Sequence, residues 1–243
     1  MTMFIGTAGW SIPRADADAF PREGPSLTRY AARFSGVEIN SSFHRPHRQS
    51  TWARWAEETP DGFRFAVKMP KTITHERQLV GCEALVEEFL GQVHELGPKL
   101  AVLLVQLPPK LTFDPEIAGT FFKHLEPATG VAIVCEPRHA SWFSLQADML
   151  LQDSRVARAA ADPAILPEAA RPGGWRWLSY WRLHGSPVTY RSAYGPDRIA
   201  AYAEQLRETA AAGRRVWCMF DNTASSAATG DALALQAAVR SDV

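Results

Sequence analysis

Nearly every short apolar run in this sequence stops at a charged or amide residue. The stops are Glu38-Ile39-Asn40, Lys68, Gln106, Glu136-Pro137-Arg138-His139, Asp162, Arg182-Leu183-His184 and Asp221-Asn222. Carboxylates and imidazoles move protons, Arg and Lys hold phosphate or carboxylate, and side-chain amides orient hydroxyls. Glu136 and His184 are therefore candidate general base and acid, with Lys68 as a third candidate catalytic residue. Glu38, Asn40, Gln106, Arg138, His139, Asp162, Arg182, Asp221 and Asn222 are candidates for binding substrate. Such residue types are rarely buried without partners. Their recurrence at run ends points to one shared site rather than to the ordinary start of loops.

The elements that must position them can be read from the runs themselves. Phe4–Ala8, Val37–Ile39, Phe63–Val67, Leu100–Leu107, Val131–Cys135, Val156–Ala161, Leu178–Leu183 and Val216–Phe220 have strand character. Helical periodicity fills the gaps: residues 26–34, 83–96, 115–125, 199–212 and 227–239, with a weaker pattern over 145–152. Asp114 and Pro115 supply an N-cap and a first helical position. Strands alternating with helices indicate βαβ units and a parallel sheet. Eight such units predict an α/β chain folded as a single (β/α)8 TIM barrel domain, residues 1–243. A doubly wound sheet would want a phosphate-binding Gly loop after its first strand, and Gly6-Thr7-Ala8-Gly9-Trp10 is a poor one.

In a parallel barrel all the strand ends share one face, where enzymes of this fold keep their active sites. Residues two apart share a side of a strand. Arg182 goes with His184, Glu136 with Ala132 and Val134, and Asp162 with Ala160. Small residues suit a crowded interior, so these charges are assigned inward. A pocket reached by water is expected to make Glu136→Gln and His184→Asn neutral or mildly stabilising.

Charge decides between chemistries. Glu38, Glu136, Asp162 and Asp221 oppose Lys68, Arg138 and Arg182, while His139 and His184 are side chains able to carry either a neutral or a cationic ring. Competing cations disfavour a hard divalent cage, whereas a borderline metal on histidine and carboxylate stays open. Metal and cofactor are thus unassigned. Three readings remain. The first is an enzyme using general acid–base chemistry on a small anionic, hydroxyl-rich molecule, phosphorylated or sugar-like. The second is a metal-dependent hydrolase or nuclease using Glu136, Asp162 and His184. The third is a non-catalytic protein that binds a small ligand.

Composition removes other classes. The chain has 243 residues, 46% hydrophobic and 21% charged, with 26 basic against 26 acidic side chains. That is a folded composition, not a disordered one. A zero net charge argues against nucleic acid as partner. His44, Arg45, His47 and Arg48 are locally basic, and they are expected to flank the mouth rather than form a nucleic-acid surface. No apolar run is long enough to span a membrane, and no secretory leader is apparent, so the expected setting is cytoplasmic. Cys82, Cys135 and Cys218 form no C-x-x-C pair and read as reduced thiols. His75-Glu76 lacks the second histidine of a zincin motif. The oligomeric state is left open.

The run ends also form an ordered set of motifs: Gly6-Thr7-Ala8-Gly9-Trp10, Val37-Glu38-Ile39-Asn40-Ser41-Ser42-Phe43, Thr59-Pro60, Phe65-Ala66-Val67-Lys68, Gln106-Leu107-Pro108-Pro109, Glu136-Pro137-Arg138-His139-Ala140-Ser141-Trp142 and Arg182-Leu183-His184-Gly185. This set resembles the YecE-like family, domain of unknown function 72, over essentially the whole chain. The resemblance implies a TIM barrel and no assigned activity. It implies pocket residues Glu38, Asn40, Lys68, Gln106, Glu136, Arg138, His139, His184, Tyr190 and Tyr194, and Trp10 of the first motif joins the substrate-binding candidates. His44 stands where the family carries tyrosine, and Asp221-Asn222 where it carries two asparagines.

Overall fold

A computed structural model describes residues 3–125 and 131–240. Every apolar run named above forms extended structure within them. The strands are β1 (Met3–Thr7), β2 (Gly36–Ile39), β3 (Arg64–Lys68), β4 (Leu100–Gln106), β5 (Ala132–Glu136), β6 (Val156–Arg158), β7 (Ala160–Asp162), β8 (Gly173–Gly174), β9 (Leu178–Leu183) and β10 (Arg215–Phe220). The predicted run 156–161 is thus two strands, interrupted at Ala159. The strands form two sheets, ordered β1-β10-β9-β7 and β2-β3-β4-β5-β6-β8. All pairs are parallel except the one made by the short β8. A parallel bridge between Ala8 and Glu38 joins the sheets on one side, and Gly9 N donates to Glu38 O at 2.8 Å beside it. On the other side the chain passes from β6 directly into β7. The chain is therefore an α/β protein built on parallel sheets.

The helices are α1 (Ser26–Ala31), α2 (Gln49–Glu57), α3 (Glu83–Val93), α4 (Pro115–His124), α5 (Leu145–Asp153), α6 (Pro196–Ala211) and α7 (Ala228–Arg240). Local chemistry sets several starts. Asp114 accepts hydrogen bonds from the backbone N–H groups of Glu116 and Ile117 at 2.9 and 3.0 Å, with Pro115 just inside α4. Ser144 accepts from Ala147 N at 3.2 Å to start α5. The helix predicted to run to Leu96 stops at Val93, where a tighter turn carries the chain through Gly97 at φ 54° and Pro98. The basic stretch 44–48 feeds α2, which buries Trp52 and Trp55.

Strand alternation separates two apolar clusters. One lies between the sheets and the helices and holds Leu103, Val105, Ile133, Cys135, Val216 and Cys218. The other gathers side chains from both sheets: Phe4, Val102, Leu104, Val134, Tyr180, Trp217 and Met219. Trp217 stacks on Tyr180 at 6.0 Å and meets Phe4 at 4.5 Å. The residues continuing this second face toward the strand ends are Glu38, Lys68, Gln106, Glu136, Arg182 and Asp221. The apolar cluster is their floor. Among the described residues no helix is long and apolar enough to cross a membrane.

Candidate functional site

Arg182 is the centre of the polar layer and is 0% exposed. Its Nε donates to both oxygens of Glu38 at 3.2 and 3.0 Å, and its Nη2 donates to Glu38 Oε1 at 2.6 Å. Nη1 donates to Glu136 Oε2 at 2.6 Å, and Nη2 also reaches Asp221 Oδ2 at 2.9 Å. Tyr180, two residues earlier on the same side of β9, donates its hydroxyl to Glu38 Oε2 at 2.8 Å. One planar guanidinium thus holds carboxylates from β2, β5 and the residue just after β10, which a flexible ammonium could not do bidentately.

His184 extends the layer. Its Nδ1 lies 3.2 Å from Asp221 Oδ2 and its Nε2 lies 3.0 Å from Glu136 Oε1. Arg138 Nη2 is also 3.0 Å from that Nε2, and 2.7 Å from Glu136 Oε1. One ring nitrogen therefore faces an acceptor and a donor together. A proton on Nε2 is held by Glu136, and a lone pair there is held by Arg138.

Electrostatics follow from this packing. Burial raises the Glu136 carboxyl, but Arg182, Arg138 and His184 outweigh it and hold it well below the usual range. Burial likewise opposes ionisation of Asp221, and Arg182 and His184 overcome it and lower its pKa. Burial depresses Arg182, yet its three carboxylates push it well above its ordinary value. Lys68 differs. Burial, then Arg182, lower its pKa to about 8 against the pull of Glu136, Glu38 and Asp221. Its ammonium lies 4.1 Å from the centre of the Phe43 ring and makes no ion pair with the described residues. Asn40 Nδ2 donates to Asp221 Oδ1 at 3.4 Å, while Asn40 Oδ1 and Arg138 Nε are buried without partners. Those two atoms are an unmet acceptor and an unmet donor within the layer.

Several sequence-predicted residues take other roles. Asp162 does not face this layer. Ala160, its strand partner in parity, packs in the cluster under the helices, and Asp162 pairs with Arg198 of α6. The inward assignment is corrected: Ala159, not Ala160, belongs to the face that carries Glu136 and Arg182. The metal reading that relied on Asp162 loses that ligand. Glu38, Glu136 and Asp221 are taken by Arg182, and among the described residues no group of three or more His, Cys, Asp or Glu is arranged to hold a metal. His139 Nδ1 caps the turn at 140–143, accepting from Ser141 N at 3.2 Å. Asn222 Nδ2 donates to Asp231 Oδ2 at 2.6 Å and to Ser192 O at 2.9 Å, tying a loop to α7. Tyr194 accepts from Gly185 N at 2.9 Å and packs on Phe220. Gly185 itself sits at φ 91°, where a Cβ would fall 2.7 Å from Ser192 O. The Trp10 ring is edge-on to Trp55 at 5.0 Å. Gln106 is buried beside Glu136 on the neighbouring strand and donates to Leu107 O at 2.7 Å. Tyr190 does reach the layer, its ring 5.5 Å from that of His184.

Glu136 and His184 are both wholly buried and paired within the layer, so the expectation that Glu136→Gln and His184→Asn would be neutral, which assumed a pocket reached by water, is withdrawn. Three further residues join the site. Tyr180 was legible from its two-residue spacing to Arg182. Phe43 and His75 lie in the short helical turns Ser41–Phe43 and Thr72–Glu76, where no periodicity marks them. Their rings meet at 4.9 Å, and burial together with Lys68 and Arg138 lowers the His75 pKa.

The family described as "Protein of unknown function DUF72" matches residues 4–243. The UPF0759 protein YecE of Escherichia coli K12 is 34% identical over 144 residues, 58% of this chain and 50% of that protein. The UPF0759 protein YunF of Bacillus subtilis 168 is 29% identical over 152 residues, 58% of this chain and 52% of that one. The chain spans about half the length of these curated relatives. A DUF72 family protein from Enterococcus faecalis V583 superimposes with a TM-score of 0.80 at 18% identity, over 98% of this chain and 95% of that one. One from Thermotoga maritima MSB8 gives 0.79 at 21%, over 98% of each.

Proposed function

The chain belongs to the DUF72 family, and from that premise we propose that it is one domain whose two sheets are arcs of a (β/α)8 barrel with an active site at its C-terminal mouth. The bridge at Ala8–Glu38 and the continuous run from β6 to β7 support closure at both seams. The site takes a small anionic molecule carrying hydroxyl groups and works on it by proton transfer.

The observation that carries this reading is His184 Nε2, set 3.0 Å from both Glu136 Oε1 and Arg138 Nη2. A nitrogen placed between an acceptor and a donor can give up a proton or take one with little rearrangement. In this reading His184 is the acid–base group. Glu136 and Asp221, held ionised by Arg182, orient its ring and are too weakly basic to serve as the base themselves. Arg138 and Lys68 receive the anionic group, with Arg138 Nε as a free donor. Asn40 Oδ1 accepts from a substrate hydroxyl. Lys68, with a pKa near 8, is a second proton carrier.

The layer's commitment to internal pairs also supports a second reading, a protein that binds the same anion without turning it over. A panel of phosphate esters and sugar acids, assayed with the wild type and His184→Gln, separates them. Turnover by the wild type that falls at least a hundredfold in the variant is the expected result. Ligand binding without turnover supports the second reading, and neither overturns both.

A further inference from the structure

Lys68 stands in the polar layer without sharing its bonds. It follows Ala66 by two residues on β3, and Ala66 belongs to the apolar floor, so its side chain points into the layer. The charges of Arg182, Glu136, Glu38 and Asp221 act on it there, and it acts in turn on His75. The three carboxylates are held by Arg182 instead. The Lys68 nitrogen rests 4.1 Å from the centre of the Phe43 ring and has no hydrogen bond or ion pair among the described residues. It is not sealed off either. Lys68 keeps 9% of its surface exposed, whereas Glu38, Glu136, Arg182 and His184 keep none. Its nitrogen is not one of the sealed, unpartnered atoms, as Asn40 Oδ1 and Arg138 Nε are.

The other lysines are placed differently. Lys71 is exposed and pairs with Glu76 at 3.2 Å. Lys99 donates to Ala56 O at 2.6 Å, and Lys110 and Lys123 are exposed. Burial without a partner favours the neutral amine, and Lys68 ionises near 8. A desolvated amine beside other cations is the form in which lysine attacks a carbonyl carbon.

We propose that Lys68 is a nucleophile that forms a Schiff base with an aldehyde or ketone substrate. This rests on the reading of the layer as the site of a small anionic, hydroxyl-bearing molecule and adds a carbonyl to it: Arg138 holds the anionic group and Lys68 takes the carbonyl. The neutral amine adds to the carbonyl carbon through a new C–N bond, and one N–H proton passes to the carbonyl oxygen. The second N–H proton leaves with that oxygen as water, and a C=N bond remains. Nothing is oxidised or reduced. His184 carries the protons.

The test is reductive trapping in the wild type. Glyoxylate, an anionic aldehyde, and glycolaldehyde, a neutral one, are each added with sodium cyanoborohydride at neutral pH, and peptide mapping gives the rate at every lysine. Rates relative to the exposed Lys110 of the same sample cancel the reactivity of the probe itself. Lys68 is expected to be labelled at least about tenfold faster than Lys110, and in unfolding urea that advantage should vanish. Labelling of Lys68 no faster than Lys110, or an advantage that survives in urea, would overturn the proposal. Arg138→Ala separates it from the reading on which it rests. Glyoxylate should favour Lys68 more than glycolaldehyde does, and the variant should remove that difference. Equal preference by both probes, with Lys68 still ahead of Lys110, leaves the Schiff base standing and overturns the anion site. Slow labelling of Lys68 in a protein that phosphate still stabilises through Arg138 overturns the Schiff base alone.

Discussion

Arg182 and Glu38 lie 144 residues apart in the chain and meet through three hydrogen bonds of 2.6 to 3.2 Å, both side chains essentially without exposure. Neither could be held there alone, because an isolated buried charge costs far more than a fold can spare. Removing the cation exposes this. Arg182→Met should lower the unfolding free energy by at least about 3–5 kcal/mol, since it strands three carboxylates. Urea unfolding at unchanged slope measures it.

Glu136→Gln should cost about 3 kcal/mol at neutral pH, because Arg182 and Arg138 each lose a partner. The folded pKa of Glu136 lies below its unfolded value, as does that of Asp221. Their stabilisation is therefore full above the unfolded value and is lost as pH falls below about 4 toward the lowered folded values. Unfolding midpoints taken from pH 7 downward should show the gap between wild type and Glu136→Gln narrowing in that acid range. A gap independent of pH would mean that the lost contacts are not ionic.

Lys68 runs the other way. Its folded pKa of about 8 lies below the ordinary 10.5, so between those values the unfolded chain binds more protons. Stability of the wild type should rise with pH across that window. Lys68→Met should be more stable than wild type by about 1–3 kcal/mol at pH 7, and the advantage should shrink as pH climbs through 8 toward 10.5. Thermal or urea denaturation at pH 7, 9 and 10.5 tests both the sign and the window.

Inorganic phosphate should stabilise the wild type. At ten times its dissociation constant the gain is about 1.4 kcal/mol. Arg138→Ala should abolish that gain, because it removes the most exposed cation of the layer, at 20%. A gain of equal size in the variant would place the anion elsewhere.

Asp162→Asn provides the control. Its partner Arg198 is 41% exposed, and such pairs contribute about 0–1 kcal/mol. The substitution should leave phosphate stabilisation unchanged. Loss of that effect would return Asp162 to the site.

The parallel α/β architecture was legible because apolar runs and helical periods alternate along the whole chain. The polar layer was legible where parity had a marker. In β5, Ala132 and Val134 predict the side of Glu136, and at the end of β9 the two-residue spacing puts Arg182 and His184 on one side. Parity failed at Asp162 because Ala157, Ala159, Ala160 and Ala161 put small residues on both sides of the run. His139 and Asn222 are engaged in bonds the sequence did not signal. The side chains that bind ligands are also those that cap turns and tether loops, and a sequence does not show which hydrogen bond is made. The balance of charge at the run ends was visible, but not that Arg182 would absorb most of the negative side of it.

The distances in sequence bridged by Arg182 bear on how the chain folds. Its partners stand 144, 46 and 39 residues away, so the full set of bonds is complete only when β2, β5, β9 and β10 have all been brought together. Loop-closure entropy must be met before such non-local contacts return anything. The complete layer is therefore expected to form late on the pathway. Substitutions within it should leave the refolding rate nearly unchanged and show themselves as faster unfolding, which makes Arg182 a latch on the lifetime of the native state rather than a guide to reaching it.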